Sequence, residues 1–248
     1  MVLIRTVIEY NDSGFLVHAE NYCGAFARGK AREEALGKLR GEVESYTLWV
    51  AGERLPDDGP TKIVVVQEKA SNLEIGDADS DVLFSAEKLP LSQEEYLDLK
   101  SLAIRSARDF ERLYRSIPDK NRTTLEQRQT FYGPIPRTAQ EMYRHTNNVT
   151  SYYAGEIGVK VNNLPNIVEN RINAFECIES RSRFLYNTVY AGQDGEEWSL
   201  RKVLRRFIWH DRIHAKAMYR MGVGIWGQQA IENPYFFPLQ IQVRKTGS

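Results

Sequence analysis

Residues 197–221, EWSLRKVLRRFIWHDRIHAKAMYRM, decide how this chain is read. Leu200, Val203, Leu204, Phe207, Ile208, Ile213, Ala217 and Met221 recur at three- and four-residue steps with Arg and Lys between them, the pattern of one long amphipathic helix. One face is expected to be buried and the basic run Arg201-Lys202-Arg205-Arg206 to lie on the other. His210 and His214 stand at i and i+4, neighbours on one helical face, where two imidazoles reach the same ion. A third ligand has to come from the remaining histidines, His18 and His145. His145 is the better placed, because TAQEMYRHTNNVTSYYAGEI (138–157) reads as a second amphipathic helix, whereas His18 follows a short alternating run of strand type. Three neutral imidazoles leave a coordination position free, the arrangement of a reactive centre rather than a closed structural one.

Around these residues, helical geometry nominates Arg206, one turn before His210, as an anion-binding group or else a surface charge. Asn148 and Tyr152 follow His145 by one and two turns and are read as pocket lining or core. Asp211 points about a hundred degrees away from His210 and is read as an ion-pair partner for an arginine. Glu141 lies one turn before His145, but the T-x-x-E spacing from Thr138 makes it a helix cap. No general base stands out.

The whole chain has 248 residues, 42% of them hydrophobic, enough for one large or two small cores. Thirty-three Lys and Arg balance thirty-three Asp and Glu, so no global field draws in nucleic acid or an anionic membrane. Cys23 and Cys177 form no C-x-x-C motif and read as cytosolic thiols. No apolar run of membrane-spanning length occurs, and the start, MVLIRTVIEYNDSG, lacks a signal-peptide core. The expectation is a cytoplasmic protein without a membrane partner.

In chain order, residues 2–9 and 14–19 read as a hairpin turning at Asn11–Gly14, and 25–29 as a third short strand. A helix follows to Val50, carrying Ala35, Leu36, Leu39, Val43, Tyr46 and Val50 inward, and TKIVVVQE (61–68) is a strand, giving β-β-β-α-β. Residues 70–91 are a polar connection with a possible strand at 82–85 and a solvated DADSD turn. The domain boundary is placed at Leu89-Pro90. Ser92 with Glu95 opens a helix that stops at Pro118. A long loop to Pro136 precedes the His145 helix, and a third helix is expected from Leu164-Pro165, with the proline in its first turn, to about Tyr190. The fold class is α+β: an N-terminal α/β domain over 1–89, then an all-α up-down four-helix bundle over 90–248.

Two resemblances accompany these readings. Residues 14–50, GFLVHAENYCGAFARGKAREEALGKLRGEVESYTLWV, resemble the HicB-type antitoxin fold, a partial ribonuclease H-like unit, with Gly29-Lys30-Ala31-Arg32-Glu33-Glu34-Ala35-Leu36 at the helix start. The resemblance implies a packing unit or a ligand or partner sensor, and no catalytic residue carries over. Residues 136–157 and 196–220 look like the DinB-like superfamily, whose three metal-binding histidines match His145, His210 and His214. That likeness implies a divalent metal, zinc or nickel, and a thiol-dependent transferase using a low-molecular-weight thiol, or a metal-dependent hydrolase, acting on a small molecule. A non-enzymatic regulator with an antitoxin-like interaction domain is the alternative. The balanced charge argues against a nucleic-acid partner, and apolar bundle faces suggest a homodimer.

Overall fold

In the computed structural model, β1 (Val2–Asn11) and β2 (Gly14–Ala19) form the expected antiparallel hairpin, with Thr6 opposite Ala19 and Asn11 opposite Gly14. The Asn11 side chain makes the turn: its Oδ1 accepts from Ser13 N at 2.9 Å and Ser13 Oγ at 2.7 Å. Then follow β3 (Phe26–Gly29), α1 (Arg32–Ala51) and β4 (Thr61–Ala70), in sheet order β3-β2-β1-β4 with β4 parallel to β1. The structure describes residues 1–56, 59–77, 79–130 and 133–238, and of Asp194 the backbone alone.

The connection after β4 contains short helical turns at Ile75–Asp77 and Ser85–Lys88, and the strand expected at 82–85 is absent. The Gln67 side chain, rather than a neighbouring backbone, serves this segment: in place of backbone ladder bonds, Gln67 Nε2 donates to Leu83 O and Ser85 N donates to Gln67 Oε1. Val82 and Phe84 instead pack with Val7 on the sheet.

Four longer helices follow: α2 (Gln93–Ser116), α3 (Ala139–Glu156), α4 (Ile167–Glu179) and α5 (Leu200–Trp226). Ser92/Glu95 and Thr138/Glu141 form the capping boxes read from the sequence. The loop before α3 carries a short ladder of β5 (Gln129–Thr130) and β6 (Gly133–Pro134), and β7 (Tyr190–Ala191) pairs with β8 (Glu197–Trp198) just before α5. Helix α4 is shorter than expected at both ends. Asn166 caps it, accepting from Val168 N and Glu169 N, so Pro165 stands before the helix rather than in its first turn. Beyond Ser180 the chain turns through positive φ at Arg183 and Asn187, and buried Asn187 donates to the Glu87 and Leu89 carbonyls.

Helix α5 departs most from the reading of one buried face. Lys202, Arg205, Arg206, Arg212 and Lys216 are all buried, because the N-terminal unit and the 81–89 segment cover the side that carries them. Each of three carboxylates takes one of these cations: Glu87 binds Arg205 at 2.5 Å, Glu196 binds Lys202 at 2.7 Å, and Glu42 binds Lys216 at 2.5 Å. A cluster of buried apolar side chains runs from Ile4 and Ile8 on the sheet through Leu39 and Trp49 to Tyr96, Phe110, Phe175, Phe207 and Met218 on the helices. No helix among the described residues is long and apolar enough to cross a membrane.

The loop between β2 and β3 meets α5 at Gly24, where φ is +89° and an added Cβ would lie 2.5 Å from Ile208 Cγ2 and 3.2 Å from Trp209 N. Gly24→Ala is therefore expected to destabilise the protein by about 1–3 kcal/mol, from overpacking with left-handed strain added. Urea unfolding of the variant checks this, and an unchanged midpoint would show that the loop is not pressed onto α5.

Candidate metal centre

α3 and α5 run so that His145 lies level with His210 and His214, while Tyr153 lies level with Phe207 and Trp198. The three imidazoles are in mutual contact. Ring centroids are 4.9 Å apart for His145–His210, 4.8 Å for His145–His214 and 4.6 Å for His210–His214. The Nε2 atoms of His145 and His210 face each other at 3.1 Å, and one ring nitrogen from each of the three residues lies within 4.8 Å of the others. Ligands at zinc–nitrogen distances around a tetrahedral ion stand about 3.3 Å apart, so the donor set suits a single cation. His210 and His214 are buried and His145 is exposed, so the cluster opens on the His145 side.

Electrostatics keep these rings neutral. Burial drives the His210 imidazole well below its ordinary value, and the neighbouring histidines push it further. Burial, then His145, brings His214 down to about 3, and partial desolvation of its ring on the cluster side lowers His145. Neutral rings present lone pairs, which is the form that ligates a cation. For the metal-free protein the sign follows from linkage. The unfolded histidines titrate near pH 6.5 and the folded ones lower, so the unfolded chain holds more protons in between. Stability is full above about pH 6.5 and falls as the pH drops toward 3, by about 1.4 kcal/mol per pH unit for each fully buried ring. Urea unfolding of metal-free protein at pH 7.5 and 5.0 is expected to show a lower midpoint at pH 5.0; equal midpoints would contradict burial of neutral rings.

His18 lies elsewhere. Its Nε2 pairs with buried Glu9 at 3.2 Å, and Glu9 also accepts from Ser80 Oγ at 2.5 Å and from the Asp81 and Val82 backbone N–H groups at 3.1 Å. Burial pushes the Glu9 carboxyl up, but His18, Ser80 and Arg205 outweigh it and bring it down to about 2. This network knits β1, β2 and the 79–82 segment together. The Glu141 carboxylate accepts from Arg137 N and Thr138 N, as a cap does. Asp211 pairs with an arginine, Arg171 of α4, at 3.0 Å with both side chains fully buried.

Arg206 is 7% exposed, which removes the surface-charge reading, and its guanidinium lies over Trp209 at 4.8 Å, Trp198 at 5.5 Å and Tyr153 at 5.7 Å. Asn148 is exposed, and its carbonyl accepts from the Asn163 side chain. Tyr152 is half-exposed and meets Trp198 edge-on, 6.2 Å between centroids. The tyrosine that touches the histidines is the next one, Tyr153, whose ring stands perpendicular to His210 at 6.0 Å. The sequence reading followed the face of His145, but His145 sits at the rim of the α3 interface. The buried stripe is Met142, Thr146, Thr150 and Tyr153, offset by about 100°.

Both cysteines are free thiols, and burial pushes Cys23 up to about 12. Compared with protein-family models, with curated proteins and with solved structures, the chain matches none of them.

Proposed function

We propose that this protein uses a divalent metal ion, zinc or nickel, held by His145, His210 and His214, to act on a small molecule as a thiol-dependent transferase or a metal-dependent hydrolase. The convergence of three neutral imidazoles from two helices, with one rim exposed, is the observation that carries the reading. A cation held only by neutral ligands keeps its full charge and, when bound, supplies a Lewis acid that lowers the pKa of a thiol or water near neutral pH. The protein's own part is to keep the rings deprotonated through burial, to orient them by packing α3 on α5, and to keep one side open. The carboxylate nearest in sequence, Asp211, is committed to Arg171 and leaves the charge of the centre undiluted.

This reading places residues 90–248 with the DinB-like superfamily and residues 1–89 with HicB-type units. What supports the second is the β-β-β-α-β order with its four-stranded sheet, and what supports the first is the position of the histidines on the helices that follow. In this protein the N-terminal unit also covers α5 one residue from His210, where Trp209 packs against Phe26 and His18. We therefore assign it the role of a wall of the centre as well as an interaction surface.

The test is to load the full chain with cobalt and add 2-mercaptoethanol. A sulfur-to-cobalt charge-transfer band is expected; cobalt bound with no response to thiol would remove the thiol-dependent transferase and leave the hydrolase.

A further inference from the structure

Beside the histidines, buried donors stand without hydrogen bonds. The Arg206 side chain is 9% exposed, and its Nε is buried with no hydrogen-bond partner among the described residues. Its nearest carboxylate oxygen, Glu196 Oε1, is 3.6 Å away, and that oxygen is drawn to Lys202 Nζ at 2.7 Å. Glu9, which also acts on Arg206 through charge, is filled by His18, Ser80 and two backbone N–H groups. Tyr153 is 4% exposed and stands against both His210 and Arg206. Beside them, Trp198 Nε1 and Trp209 Nε1 are buried and unpartnered as well.

A buried donor left unpaired costs about 1–3 kcal/mol, so three in one place, Arg206 Nε, Trp198 Nε1 and Trp209 Nε1, call for an acceptor. Arg206 lies about 6 Å along α5 from His210, within reach of the far end of a small molecule whose near end meets the histidines. We propose that Tyr153 and Arg206 are the specificity-determining residues of this centre, and that its substrate is a small molecule carrying a carboxylate. The planar guanidinium fork with a phenol beside it matches the two oxygens of a carboxylate. A phosphate dianion fits less well, since Glu196 and Asp79 already stand within charge range of the one guanidinium. The proposal rests on the metal-centre reading, and it adds the end of the substrate that the metal does not hold.

The experiment uses cobalt-loaded full-length protein titrated with 3-mercaptopropionate and with 2-mercaptoethanol, two thiols that differ in the carboxylate. Wild type is expected to bind the mercaptocarboxylate about tenfold more tightly, a difference of about 1.4 kcal/mol. Arg206→Gln and, independently, Tyr153→Phe are expected to bring that ratio toward unity, with bound cobalt measured in parallel. Tyr153→Phe keeps the ring and its packing, so it decides the matter if Arg206→Gln does not fold. Equal affinities in wild type, or an undiminished ratio in Tyr153→Phe and Arg206→Gln, overturn the proposal while leaving the metal centre intact. Failure to bind cobalt at all overturns both.

Discussion

Replacement of His210 by alanine abolishes metal binding: the purified full chain, prepared without a nickel column, falls from about one bound divalent ion to background after dialysis. His210 faces His145 through Nε2 and meets His214 edge-on. Losing a residue that merely orients a ligand costs about 10–100-fold in metal affinity, and losing one of three ligands costs more. His145→Ala and His214→Ala are expected to lose the ion as well. His18→Gln serves as the internal control, because His18 pairs with Glu9 in the sheet and should leave the metal in place. Metal analysis by mass spectrometry reads all four variants. Retention of the ion by any of the first three, or its loss in His18→Gln, would break the assignment.

The second large effect is on stability. Arg171 and Asp211 are both fully buried, joined at 3.0 and 3.3 Å, with the guanidinium also over the Phe207 ring at 3.9 Å. Removing one partner leaves a buried charge uncompensated, at a cost of about 3–5 kcal/mol. For a chain of this size that lowers the melting temperature by about 6–20 °C. Asp211→Asn and Arg171→Met are the variants to measure. Replacing both partners with apolar residues of similar size should cost less than either single change, since no orphan charge remains. A double variant no more stable than the singles would show that the pair is needed for its attraction rather than for mutual neutralisation. Asp211 follows His210 in α5, so the single variants are also expected to weaken metal binding by turning the helix that presents His210 and His214.

How much of this could be read from the residues follows from which forces are local. The capping boxes at Ser92 and Thr138, the Asn11 turn and the i,i+4 histidines are set by neighbours in sequence, and each stands where its spacing puts it. The partner of His145 is fixed by packing α3 on α5; amphipathicity placed it on a helix but could not say which residues flank it. Hence Tyr152 was named where Tyr153 is the contact. The basic residues of α5 are buried rather than solvated for a similar reason. Their burial depends on Glu42, Glu87 and Glu196, which lie far away or across a turn and supply the counter-charge that makes buried Lys and Arg tolerable. The end of α4 was overrun because Leu185 and Val189 continue a helical period while Arg183 and Asn187 break the backbone.

The central claim is that imidazoles from α3 and α5 share one cation and leave part of its surroundings free. Anomalous diffraction at the metal's absorption edge, on crystals of protein purified with its native ion, tests that claim most directly. The account predicts one strong peak about 2.0–2.2 Å from a ring nitrogen of each of His145, His210 and His214, with no fourth protein side chain bound. A peak at another location, or a fourth protein ligand closing the site, would contradict it.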